Sequence, residues 1–224
     1  LSALGRQHIE LREWIEAHPD RGVMHAPVAF MLDFYNGWNM PRHLYRSDKY
    51  MIWGKFPYEK GDYLIDAMFR MVWPGYEDAS YLRNERGFVC ATPFGDIFDV
   101  ITNRCHPDAL KQYGCVMLLS DVEMTPEVAA NLSAYVEQGG DLALSAANAK
   151  SLPAALTGVT IGAQANGCTS RLVAAGGAFE ERPYTYSVLT PTTAQAVLDN
   201  ERGHALVTVN ATGRGRVIVG AAEY

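Results

Sequence analysis

Hydrophobic positions fall into two textures along this chain. From Ser2 to Ala17 the apolar residues Leu4, Ile9, Leu11, Trp14 and Ile15 recur at helical spacing, and His18-Pro-Asp-Arg-Gly22 ends the pattern. Pro27 to Asp33 is a nearly continuous apolar run of strand length that ends in a carboxylate. Lys60 to Trp73 predicts a helix, with Leu64, Ile65, Met68, Phe69 and Val72 as one buried stripe, Asp62 near its start and Pro74-Gly75 as its stop. Strand-like runs follow at Gly95–Thr102, Cys115–Ser120 and Asp141–Ser145, with a short helical turn near Pro107–Lys111. The most legible segment joins the last two of these runs. Thr125 caps a helix, Pro126 opens it and Glu127 lies in its first turn. Val128, Leu132, Tyr135 and Val136 form its core face, and Gly139-Gly140 stop it. Strand, helix, strand with both strands apolar is the unit of a parallel sheet covered on both faces.

After Leu156 the texture changes. Shorter or glycine-interrupted runs appear at 159–161, 170–173, 184–189, 205–209 and 216–219, and Asn210 to Gly215 reads as a hairpin connection. The expected fold is therefore α/β: a flavodoxin-like, mostly parallel sheet with helices on both faces and a C-terminal antiparallel β extension from about residue 157. Residues 1–26 read as a helical linker or the tail of another domain, and 27–224 as the α/β domain, with an insertion at 76–94.

Charge and composition narrow the function. The formal net charge is -6 with no basic run, which argues against nucleic acid as a partner. No apolar run approaches the roughly 20 residues that cross a bilayer, so a membrane partner is not expected. No secretory signal is visible, and a soluble, cytoplasmic setting is the expectation. The cysteines Cys90, Cys105, Cys115 and Cys168 lack metal-ribbon spacing. The chain opens at Leu1 already in helical pattern and stops at Tyr224 just after a strand-like run. It reads as a fragment of a longer polypeptide.

Several of these residues carry a family likeness. Val28-Ala-Phe-Met-Leu-Asp33 with Trp38 shortly after, Asp99-Val-Ile101, the approach from Leu110 to Tyr113, and Leu132-Ser-Ala-Tyr-Val-Glu-Gln-Gly-Gly-Asp-Leu142 resemble the class I glutamine amidotransferase-like fold. More narrowly, they resemble the domain that follows the catalytic barrel in family-42-type β-galactosidases and related bacterial glycoside hydrolases. The likeness covers roughly Pro27 to Ser145, and more loosely the later strands. It implies a domain without chemistry of its own, since the catalytic carboxylates of those enzymes lie upstream in the barrel. It also implies a homo-oligomer, a trimer being one form, in which the domain builds the subunit interface and walls off an active site. Carbohydrate would then be met only in the context of the full enzyme.

The residues themselves agree with a non-catalytic reading. A class I amidotransferase holds a nucleophilic cysteine on a sharp strand-to-helix turn. Here the turn after Asp141–Ser145 reads Ala146-Ala-Asn-Ala149, with no thiol and no flanking glycine. Ser145 is a weak nucleophile candidate. The histidines His8, His18, His25, His43, His106 and His204 show no metal-ligand spacing, so neither a metal nor another cofactor is expected. His106 reads as a loop or cap residue, His204 as an exposed hairpin residue. Asp33, Asp96, Asp99, Asp121 and Glu123 stand at strand ends, where carboxylates serve either glycoside hydrolysis or, more commonly, backbone capping. Aromatic residues crowd the stretch from Tyr35 to Tyr81. Such loops serve a protein interface or a sugar face. The candidate sugar or interface contacts are Asp33, Tyr35, Trp38, Trp53, Tyr58 and Asp96, with no catalytic residue assigned. The rival expectations are a free-standing amidotransferase-like hydrolase with an unrecognised nucleophile and a carbohydrate-binding module.

Overall fold

Ser2 starts the first element: its hydroxyl accepts the amide of Gly5 at 3.1 Å, and α1 (Ala3–Ala17) follows. In the computed structural model, which describes residues 2–20, 25–35, 67–68, 97–119 and 121–223, α1 buries none of its side chains. Leu4, Leu11 and Trp14 stay exposed, and the Trp14 ring stacks on His18 with centroids 4.4 Å apart.

The apolar run after Pro27 becomes β1 (Val28–Leu32), which lies between β2 (Phe98–Thr102) and β3 (Cys115–Leu118), parallel to both. A short α2 (Pro107–Leu110) precedes β3. After β3 come α3 (Pro126–Glu137) and β4 (Asp141–Ser145), which pairs parallel with β3. Alternation splits the residues of these strands between two faces. Ala29, Met31, Val116, Leu118, Leu142 and Leu144 join the main core with Val128, Leu132, Tyr135 and Val136 of α3. Phe30, Leu32 and Leu119 form a smaller cluster with Val28, Phe98, Met117 and Met68 packed against it. Each fully buried Val or Leu contributes roughly 1.5–3 kcal/mol, and among the described residues the α3 side supplies more of them.

The double glycine after α3 is a packing requirement as well as a stop. A Cβ at Gly140 would fall 2.1 Å from the Tyr135 ring, and Gly139 has φ of 114°. Tyr135 reaches past this bend, donating its hydroxyl hydrogen to the carbonyl of Tyr113 at 3.1 Å. Burial raises the Tyr135 phenol pKa well above its ordinary value, so it stays a donor.

Two short helices, α4 (Ala146–Ala149) and α5 (Ala154–Thr157), lead into the second half. There β5 (Val159–Leu172) and β6 (Ala178–Pro191) form a long antiparallel hairpin. β7 (Gln195–Asp199) and β8 (Ala205–Thr212) follow. β7 pairs with β5 and with β8, and β8 pairs back to β6 through Leu189 and Ala205, so β5, β6, β8 and β7 close into a four-stranded antiparallel barrel. β9 (Gly215–Gly220) pairs antiparallel with β8 and parallel with β4, joining the barrel to the first strands. β10 (Ala222–Glu223) adds to β6.

This arrangement corrects the expected fold class. Six of the ten strand pairings among the described residues are antiparallel. The molecule is not a flavodoxin-like or amidotransferase-like parallel α/β sheet with a β appendage. It is a mostly antiparallel, barrel-bearing structure into which a short parallel block is built. The physical reason lies in β5 and β6. Most of their residues are exposed or half-buried, and strands with one solvated face are antiparallel by nature. Ring closure through β7 and β8 then shields edges that so long a hairpin would leave open. Gly162 and Gly167, which look like breaks in sequence, lie within one continuous strand, near register shifts at 161–164 and 167–169. The expected helix at 60–73 and the insertion at 76–94 fall almost wholly outside the described residues.

Candidate functional site

The C-terminal ends of parallel strands are where an α/β block places a ligand site. Asp33, one residue past β1, is 1% exposed there. Its Oδ2 accepts the amide of Glu123 at 2.7 Å and the side-chain amide of Asn103 at 2.9 Å, and its Oδ1 accepts the amide of Tyr35 at 2.8 Å. Asn103 returns the favour to the backbone, its Oδ1 accepting the amide of Phe34 at 2.9 Å. The pair thereby ties the loops after β1, β2 and β3 together.

A second tie lies beside it. Asn148 is buried, and its Oδ1 accepts the amide of Val122 at 3.0 Å. Ser145 is the N-cap of α4: its Oγ accepts the amide of Asn148 at 3.3 Å. The turn after β4 thus holds a capping hydroxyl followed by buried Ala146.

Above this hub sits an exposed aromatic ledge. Phe34 and Tyr35 meet edge to face with centroids 5.0 Å apart. The Arg104 guanidinium lies 4.7 Å from the Phe34 centroid and 4.5 Å from that of Tyr35. Tyr35 is 65% exposed.

The other candidates have local partners. Tyr113 donates to Asp99 at 3.0 Å. His106 caps α2, its Nδ1 accepting the amide of Asp108 at 3.3 Å. His204 is not a free hairpin residue: its Nδ1 lies 2.7 Å from the hydroxyl of Tyr186, which is fully buried in the barrel. Asp121 and Glu123 remain exposed at the end of β3. Burial raises the thiol pKa of Cys105 and of Cys115, the reverse of what a nucleophilic cysteine needs. Among the described residues no group of three or more His, Cys, Asp or Glu side chains is arranged to hold a metal ion.

Of the predicted contacts, Asp33 and Tyr35 are adjacent at this edge. Asp33 serves as a buried acceptor and Tyr35 as an exposed ring. Trp38, Trp53, Tyr58 and Asp96 lie outside the described residues. Sequence reasoning missed Asn103, Arg104 and Asn148. Asn103-Arg104 directly follows an apolar strand, a position that could have marked it, but its partners are some 70 residues away in sequence.

A barrel-bearing sheet joined to a short parallel block is thus the class this chain defines. The sequence matches no protein-family model and no curated protein. By fold it is similar to the β-galactosidase from Rahnella sp. R3, with a TM-score of 0.54 and 19% identity over 99% of this chain and 32% of that one. It is similar to the β-galactosidase of the Antarctic haloarchaeon Halorubrum lacusprofundi, with a TM-score of 0.55 and 19% identity over 89% of this chain and 28% of that one. A cytoplasmic protein from Salmonella typhimurium LT2 is also similar, with a TM-score of 0.51 and 15% identity, over 88% of this chain and 87% of its own. These are likenesses of fold. The chain spans about a third or less of the length of the β-galactosidases. No helix among the described residues is long and apolar enough to cross a membrane.

Proposed function

We propose that this chain is a non-catalytic accessory part of a glycoside hydrolase, serving subunit association and completing an active-site wall. The carrying observation is the likeness over 99% of this chain to under a third of the Rahnella β-galactosidase. The chemistry at the C-terminal edge supports it. Asp33, Asn103, Ser145 and Asn148 are engaged with backbone amides, so two of the groups nominated from sequence, Asp33 and Ser145, fasten backbone, while Asp121 and Glu123 stay exposed. The ledge of Phe34, Tyr35 and Arg104 faces outward beside them.

The test is hydrolysis of a nitrophenyl β-galactoside and a nitrophenyl β-mannoside by the 224-residue chain. No turnover above the spontaneous rate is expected. Turnover abolished by Ser145→Ala or by replacement of Asp121 or Glu123 would overturn the reading in favour of an enzyme.

A second reading is favoured by one observation. The Salmonella protein is matched over 87% of its own length, so a chain of about this size with this fold also occurs by itself. A free-standing protein, with sugar binding rather than subunit association as its role, is the alternative.

A further inference from the structure

We propose that Tyr35 and Arg104 form a binding ledge for a neutral hexopyranoside, with the Tyr35 ring as the stacking surface and the guanidinium and phenol as hydrogen-bond donors. The choice of a sugar over other small polar rings rests on the glycoside hydrolase reading above; the site itself rests on geometry.

The Arg104 cation covers one face of the Tyr35 ring at 4.5 Å. With 65% of the residue still accessible, much of the side chain remains free to meet a ligand. An aromatic face is electron-rich, and the hydrogens that cluster on one side of a hexopyranose are weakly positive. A galactoside has such a side, formed by the hydrogens on C3, C4 and C5. Flat contact between the two is favourable without burying any charge.

The guanidinium adds direction. No carboxylate among the described residues pairs with Arg104; its interactions are with the two rings. Its N–H groups form a planar fork of donors beside the Tyr35 ring. The Tyr35 hydroxyl adds another donor at the ring's edge.

The ledge is also pre-ordered. Phe34 and Tyr35 have their amides fixed by Asn103 and Asp33, and Asn103 is itself hydrogen-bonded through its backbone to the carbonyl of Leu32 at 3.1 Å. Rings held on a fixed backbone lose little freedom on binding. Size decides between a sugar and a protein as occupant. A stable protein interface needs about 800 Å² on each side, and two rings with one guanidinium supply only a small part of that. They match one or two sugar rings.

The experiment is titration of the full 224-residue chain with lactose, followed by NMR of the tyrosine ring and arginine side-chain signals. Saturable shifts confined to Tyr35, Phe34 and Arg104 are expected, with a dissociation constant on the order of millimolar. Tyr35→Ala should weaken binding at least about tenfold, and Arg104→Lys, which keeps the charge but not the fork, should weaken it less. Both side chains are exposed, so these variants keep the fold, as an unchanged amide spectrum will verify. Absence of shifts at Tyr35, or unchanged binding in Tyr35→Ala, overturns the ledge while leaving the accessory reading intact. If the variants instead abolish self-association and no sugar shift occurs, the ledge is a protein contact and the proposal fails. Turnover of the galactoside would strike the accessory reading alone.

Discussion

Asp33 shows how far one side chain can reach. A carboxylate at the end of an apolar strand invites a catalytic assignment, yet here its oxygens collect two backbone amides and the amide of Asn103. Asp33→Ala would leave those donors without their acceptor in a place where Asp33 itself is 1% exposed. The loss should be about 2–4 kcal/mol, since each buried donor left unmade costs roughly 1–3 kcal/mol and water recovers part of it. Asn103→Ala also removes three contacts, but those to the Phe34 amide and the Glu123 carbonyl are exposed and the amides of Tyr35 and Glu123 keep Asp33, so it should cost about half as much. Urea unfolding midpoints check both. Equal, negligible losses would mean that the three loops are held by something else. The carboxylate was visible in the sequence; its role was not, because Asn103 and Glu123 lie on the loops that follow two other strands.

At the scale of elements, α3 was legible almost to the residue. Thr125, Pro126 and the Gly139-Gly140 pair are local signals, and they set its limits at Pro126–Glu137. The strands β1, β2, β3 and β4 were legible for a similar reason, as short apolar runs. The barrel was not. β7 (Gln195–Asp199) is announced only by the short run Ala196 to Leu198, and the closing pairs of β5 with β7 and β6 with β8 join residues far apart in sequence. One closing pair is also an ion pair. Arg171 and Asp199 face each other in register, with Nε to Oδ1 at 2.8 Å and Nη2 to Oδ2 at 2.6 Å. The hydrogen bonds from Arg171 hold the Asp199 carboxyl below its ordinary pKa. A carboxylate depressed in the folded state adds stability above its unfolded pKa of about 3.9, and that stability is lost as pH falls through the lower folded value. The stability gap between the native chain and Arg171→Ala should therefore be present at neutral pH and close below about pH 4. Unfolding curves at neutral and acid pH measure it. A gap that stays the same in acid would show that Arg171 acts by packing its stem rather than by its charge.

For the whole molecule, fold and function separate. The net charge of -6 argues against nucleic acid, and the apolar strands were enough to expect a sheet. They could not show that antiparallel pairing would dominate, because a run such as Val217 to Val219 reads the same whether its neighbour runs with it or against it. β9 in fact does both, parallel to β4 and antiparallel to β8. The outward-facing groups are what remain to do work: the unburied helix α1, and the ledge over the Asp33 hub. An accessory part that associates must cover a surface such as α1 in its assembly, which leaves the ledge to a sugar. Sedimentation velocity of the 224-residue chain over a range of concentrations tests this most directly. Concentration-dependent oligomers are the predicted result, and a single monomeric boundary at every concentration would contradict the association role.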